Sequence, residues 1–168
     1  ERQLPTRKVK GLRVTGKSDL PIIEQALLGQ VGRTLTQELN DSDIESVQLV
    51  SHLGKTVSAD FIDKELYGYV GQVTAIQTAY LEQLLAANIV PVLASLGENA
   101  AGEFLNINAD YLAAAVASSL QAEKLILMTD IEGVLEDKKV LPQLLTSQVS
   151  KKIQTDVIKG GMIPKIES

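Results

Sequence analysis

The sequence predicts an α/β fold, a three-layer αβα sandwich built on a mainly parallel sheet. Three observations carry this. Strand-like and helix-like stretches alternate over most of the 168 residues. Ile89 to Ala94 and Leu125 to Met128 are short runs apolar on both faces, the pattern of strands covered by helices on either side. Hydrophobic residues make up 45% and charged residues 22%, which supplies a core for one domain of ordinary length spanning residues 1–168.

Taken in order, Ser18 or Asp19 is placed to cap a helix whose apolar residues Ile22, Ile23, Ala26 and Leu27 recur at helical spacing until Gly29. A second helical stretch runs to Asn40, and Val47 to Val50 reads as a strand. Residues 56–76 are extended pieces broken by glycines. Thr78 to Ala87 is a helix with Leu81, Leu84 and Leu85 inward and Asn88 as terminator. A buried strand follows over 89–94, and residues 97–103 form the polar turn of a hairpin. Phe104 to Asn108 leads into an Ala-rich helix over 109–120, and Lys124 to Met128 is a further buried strand. The last helix, Ser147 to Lys159, places Val149, Ile153 and Val157 on one face. Gly160 and Gly161 stop it and Pro164 prevents a restart. Ligands on such sheets sit beside strand ends and helix N-termini, which directs attention to 94–110 and 129–135.

Composition narrows the function. With no Cys there is no disulfide, thiol catalysis or zinc-thiolate site. No apolar run approaches the ~20 residues of a membrane span, and no signal peptide opens the chain, so a soluble cytoplasmic protein is expected. Asn40-Asp41-Ser42 fits a glycosylation acceptor, with nothing to suggest secretion. Residues 1–17 are net basic, but the whole chain carries a formal charge of -5. That balance, with 4% aromatics, argues against a nucleic-acid partner. The basic start is a solvated arm or half of a small-anion site.

Gly11 to Ser18 matches the phosphate-loop pattern G-x-x-x-x-G-K-[ST] letter for letter, and Leu125 to Asp130 resembles its magnesium-holding strand. The mechanism needs a buried central strand ahead of the glycine. Leu4 to Lys10 is too charged and proline-broken to supply one, and Pro21 stands where the phosphate-binding helix should already run. His52, the only histidine, reads as a structural or surface residue rather than a base.

Four segments together resemble the acetylglutamate kinases of the amino-acid kinase family. They are Gly11-Leu12-Arg13-Val14-Thr15, then Phe104 to Asp110, then Thr129 to Leu135, and Gly160 to Lys165. Their order, with Gly68 to Val73 and Ile89 to Val92 between, extends the resemblance over nearly the whole chain. The resemblance implies transfer of the ATP γ-phosphoryl group to the side-chain carboxylate of N-acetyl-L-glutamate, an early step of arginine biosynthesis. ATP would enter with Mg2+ in the complete enzyme, without a protein metal site, and the assembly would be a homodimer or a higher homo-oligomer. Such chemistry asks chiefly for alignment of two anions and neutralisation of the transferred group's charge. The acceptor carboxylate is already ionised at neutral pH, so no acid-base residue is required.

The resemblance gives the residues their roles. Arg13 would hold the substrate α-carboxylate with its planar fork, against an exposed arginine in a basic arm. Asn106 would serve the acetamido and backbone groups of the substrate, and Asn108 would bind substrate or simply cap the helix that follows it. Asp110 would orient catalytic lysines, or be only a first-turn acid favoured by the helix dipole. Lys165 would stabilise the transition state on the phosphoryl oxygens, or be a solvated terminal lysine. Asp130, Ile131, Glu132, Gly133, Val134 and Leu135 would hold the nucleotide, with Val157, Ile158 and Lys159 on its adenine side. Asp130 and Gly133 could equally form a tight turn.

The family's glycine-rich phosphate loops and its last nucleotide-lobe elements have no counterpart in these residues, and Val50 to Thr56 replaces its usual glycine-and-aspartate loop. The expectation is therefore a fold incomplete at both ends, the substrate core plus the start of the nucleotide lobe, inactive by itself. Alternatives are a non-catalytic amino-acid-binding regulatory module and a kinase for another N-acylated amino acid.

Overall fold

The structure is a computed structural model that describes residues 7–9, 12–50, 56–130, 132–137 and 139–167. The architecture is mixed α/β with parallel strand pairing, as the alternating pattern predicts. A small antiparallel pair, β1 (Lys8–Val9) and β2 (Leu12–Arg13), precedes one long helical run. That run opens as a 3-10 turn over Lys17–Asp19 and continues through α1 (Leu20–Glu24), a wide π segment (Gln25–Gly32) and α2 (Arg33–Asp41).

Two expectations change here. The helix does not stop at Gly29, and neither Ser18 nor Asp19 makes a side-chain cap for α1. Instead the Asp19 carboxylate reaches back to accept from the Gly16 N–H at 2.8 Å. The helix survives its glycines by widening. Gln48 on the following strand donates from Nε2 to the Leu28 carbonyl at 3.0 Å, supporting a carbonyl within the wide turn. A side chain at Gly32 would collide with that same Gln48, at 2.4 Å from its Nε2, so the glycine permits the docking rather than ending the helix.

The strands form two groups. β3 (Ser46–Leu49) lies parallel to β6 (Val90–Leu93). β4 (Val57–Phe61), β5 (Val70–Ile76), β8 (Phe104–Ile107) and β7 (Leu96–Glu98) close on one another, with alternating antiparallel and parallel pairing. Period-2 patterning sends Val57 and Ala59 inward from β4, and Leu105 and Ile107 from β8. With Leu112 of α5 (Ala109–Ser119) they make the core cluster. The turn between β7 and β8 is the hairpin that the 97–103 composition predicts. Short α3 (Lys64–Tyr67) joins β4 to β5, and α4 (Thr78–Ala86) links β5 to β6. Leu81 is fully buried as expected, whereas Leu85 is exposed, because the core-facing stripe of α4 is narrower than its leucine content.

Beyond α5 the structure departs from expectation twice more. Lys124 to Met128 is not a strand: no strand pairs with it among the described residues, and Ile126 and Met128 are 80% and 91% exposed. Apolar character alone does not make a strand when the ladder partner is lacking. After the hairpin of β9 (Leu135–Glu136) and β10 (Lys139–Val140), α6 (Thr146–Gln154) ends five residues earlier than predicted. A further helix, α7 (Met162–Glu167), begins just after Gly161. Pro164 sits in its first turn, where a missing N–H removes no intrahelical bond, so the proline does not prevent the restart. Among the described residues no helix is long and apolar enough to cross a membrane.

Candidate functional site

The site is assembled from segments far apart in the chain. Thr15 forms a parallel bridge with Gly68, donating its N–H to the Tyr67 carbonyl at 3.0 Å and accepting from the Tyr69 N–H at 2.7 Å. The approach is so close that a Cβ on Gly68 would lie 2.3 Å from the Thr15 carbonyl oxygen, and φ at Gly68 is +69°. Only glycine meets both conditions. Across the same strand end, the Asn106 N–H bonds the Tyr69 carbonyl at 2.9 Å, and Asn106 Nδ2 donates to Thr15 Oγ1 at 3.0 Å. The Tyr69 peptide thus joins the Arg13–Thr15 segment to β8. Arg13 itself is exposed, two residues before the buried Thr15.

Side chains around Tyr69 brace this junction. The Lys64 ammonium stands 4.3 Å from the Phe61 ring centre and 5.1 Å from that of Tyr69, and 4.0 Å from Glu103. Asn99 donates from Nδ2 to Glu103 Oε2 at 2.9 Å. That hydrogen bond is the main reason the Glu103 carboxyl lies below its ordinary range; partial burial opposes the shift, while Lys64, Lys17 and the Tyr69 hydroxyl support it.

The segment after β8 carries two more predicted residues. Asn108 is the N-cap of α5, its Oδ1 accepting from the Asp110 and Tyr111 N–H groups at 2.9 and 3.1 Å. In the first turn of that helix, Asp110 Oδ1 accepts from Lys165 Nζ of α7 at 2.7 Å. Both side chains are mostly buried, 18% and 24% exposed, so Lys165 is no solvated terminal cation.

Lys165 also faces a cleft of about 670 Å³ between the 129–137 loop and the 156–162 turn. Asp130, Gly133, Val134 and Leu135 line one wall, and Val157 and Lys159 the other. Ile158 does not line it and is buried. Glu132 is exposed outside the lining, while Ile131 lies outside the described residues, as do Gly11, His52 and the rest of the 51–55 loop. The cleft also includes Glu136, Asp137 and Asp156, which the sequence patterns did not single out, and Thr129, Gly161 and Met162, which belong to the motif segments but were given no site role. Asp137 and Asp156 both have positive φ, +50° and +55°, a turn geometry that composition did not signal. Lys152 of α6 pairs with Glu136 and ties that helix to the cleft wall. Lys17 and Ser18 stand in an exposed 3-10 turn whose leading amide is taken by Asp19, an arrangement unlike a phosphate-cradling loop.

A profile of the amino acid kinase family matches residues 1–168. The chain belongs to the amino acid kinase family. An acetylglutamate kinase of Streptococcus sanguinis is 94% identical over the whole chain, which spans 69% of that relative. One from Streptococcus mutans is 50% identical over the same share. A crystal structure from Streptococcus mutans superposes with a TM-score of 0.94 at 50% identity, covering 98% of this chain and 67% of that one. An N-acetylglutamate synthase from Neisseria gonorrhoeae, solved with coenzyme A and N-acetyl-glutamate, gives 0.81 at 26% identity, covering 97% and 38%. Within this family the chain's likeness is to phosphotransferases named acetylglutamate kinase, and the kinase role follows from it.

Proposed function

We propose that these residues carry the N-acetyl-L-glutamate site and one wall of the ATP site of an acetylglutamate kinase of arginine biosynthesis. The observation that carries the reading is the Asp110–Lys165 ion pair, which stands where the Asn106–Asn108 segment meets the nucleotide-sized cleft. A cation shared between acceptor and donor sides is what phosphoryl transfer between two anions needs.

In this reading the Arg13 guanidinium takes the α-carboxylate of the substrate and Asn106 takes its acetamido group. A side-chain carboxylate oxygen attacks the γ-phosphorus; the bond from that phosphorus to the β-bridging oxygen breaks, leaving ADP and an acyl phosphate. Lys165 neutralises charge on the transferred group, and Asp110 fixes the direction of Lys165. Asp130, Gly133, Val134, Leu135, Val157 and Lys159 enclose the nucleotide. Mg2+ would enter with the ATP phosphates and neutralise charge on them.

Acetylglutamyl phosphate formation by the 168-residue chain is expected to be unmeasurable, because the family's glycine-rich loops have no counterpart in it. Calorimetric titration with N-acetyl-L-glutamate and with a non-hydrolysable ATP analogue is the direct test. Binding of the acceptor that Arg13→Ala abolishes supports the assignment; acceptor binding unaffected by Arg13→Ala overturns it. Acceptor binding with no nucleotide binding would leave instead the amino-acid-binding module without kinase activity.

A further inference from the structure

We propose that Thr15 is a positioning residue: its buried hydroxyl fixes the Asn106 carboxamide so that the free Oδ1 accepts from the N–H of an acylated amino acid. The proposal rests on the acceptor site described above and assigns it a specificity element.

Thr15 is 1% exposed, and the partner its hydroxyl has in the protein is Asn106 Nδ2 at 3.0 Å. Among the described residues nothing donates to Asn106 Oδ1. An asparagine side chain offers one acceptor oxygen and two N–H donors. Thr15 occupies one donor, which settles the plane of the carboxamide and leaves the oxygen and the second N–H for a ligand. The secondary amide of an N-acyl group has the matching pair, one N–H to give and one C=O to receive. A free amino acid, charged at nitrogen, does not.

The backbone makes this orientation rigid. Thr15 and Asn106 are held on opposite sides of the Tyr69 peptide, through Tyr69 N–H to Thr15 O and Asn106 N–H to Tyr69 O. Neither residue can slide without losing a main-chain bond. Thr15 is therefore placed to choose a side-chain orientation rather than to hold the fold together, a task the backbone already performs.

The test compares Thr15→Val, isosteric without the hydroxyl, with Thr15→Ser, which keeps it. NMR titration of each 168-residue chain uses two probes: N-acetyl-L-glutamate, and glutarate, which keeps both carboxylates and lacks the acetamido group. Thr15→Val is expected to weaken N-acetyl-L-glutamate binding about 3- to 10-fold, the loss of one hydrogen bond, with glutarate within about twofold of the parent. Thr15→Ser is expected to retain parental affinity for both. Equal weakening of both ligands by Thr15→Val, or no weakening, overturns the positioning role while leaving the acceptor site standing. A parent chain that binds neither ligand overturns the site itself, and this proposal with it. Should Thr15→Val fail to fold, the Asn106 side-chain amide of the unmodified chain decides: its two Nδ2 protons are expected to shift on adding N-acetyl-L-glutamate and not on adding glutarate, and equal shifts overturn the proposal.

Discussion

Lys165 donates from Nζ to Asp110 Oδ1 at 2.7 Å, joining the first turn of α5 to α7 across 55 residues of sequence. Each residue taken singly has a local explanation, an acid near a helix N-terminus and a lysine in the last turn of a short helix. The pair has no local explanation, and in the proposed function it is the pair that brings the acceptor side and the nucleotide cleft to one cation.

A double-mutant cycle on this pair, Asp110→Ala and Lys165→Ala singly and together, is expected to give a coupling of about 1 kcal/mol in urea unfolding. The same single variants should weaken binding of the ATP analogue. A cycle that closes to zero would show that the two charges do not act on each other.

Gly68→Ala places a side chain against the Thr15 carbonyl at a backbone angle that L-residues rarely adopt. The expected cost is about 1–3 kcal/mol in unfolding free energy. N-acetyl-L-glutamate binding should fall with it in the proposed function, since the Thr15–Gly68 bridge holds Thr15 against Asn106. Unchanged denaturation midpoints would refute the strain argument.

Asn108 has a cap role that substitution can separate from a ligand role. Asn108→Ala should destabilise the chain by about 1 kcal/mol. Asn108→Asp keeps an oxygen for the Asp110 and Tyr111 N–H groups and should retain the parental melting temperature. If Asn108→Asp also retains acceptor affinity, the residue is a cap alone.

The depressed Glu103 carboxyl makes a prediction about pH. Its pKa lies below the ordinary 4.5 because the folded chain favours the charged form, first through Asn99. The stabilisation is therefore fully present above the unfolded value and is lost as pH falls through the lower folded value. The melting-temperature difference between parent and Glu103→Gln should be constant from neutral pH down to about 5 and shrink below 4.5. A difference that grows on acidification would contradict the sign.

The exposed run Leu125 to Met128 is apolar and unpaired among the described residues. Such a segment favours association between copies. Replacing Ile126 by Thr and Met128 by Lys should lower the scattering mass of concentrated samples without lowering the melting temperature, because neither side chain is packed.

Arg13, Asn106, Asp110 and Lys165 enter the proposed site through the resemblance of their segments to the acetylglutamate kinases, and their fork, amide, carboxylate and ammonium groups suit a dicarboxylate and a phosphoryl group. Six of the nine nucleotide-side positions named from the sequence line the cleft, whereas Ile158 is buried and does not line it. Asp137 and Asp156 were not legible, because their place on the cleft wall follows from turn conformations at positive φ that neither residue type announces.

The sequence by itself determined what depends on near neighbours: the α5 cap at Asn108, the β7–β8 hairpin, the inward stripe of β4 and β8. These rest on hydrogen bonds and side-chain spacing within a few residues. Tertiary structure alone decided the rest. The helix passes through Gly29 because its widened turn is met by Gln48 from β3, Lys124 to Met128 stays outside any ladder because no strand lies beside it among the described residues, and Thr15 meets Asn106 across 91 positions. Each outcome turns on a partner far along the chain, and periodicity in sequence carries no record of which distant partner arrives.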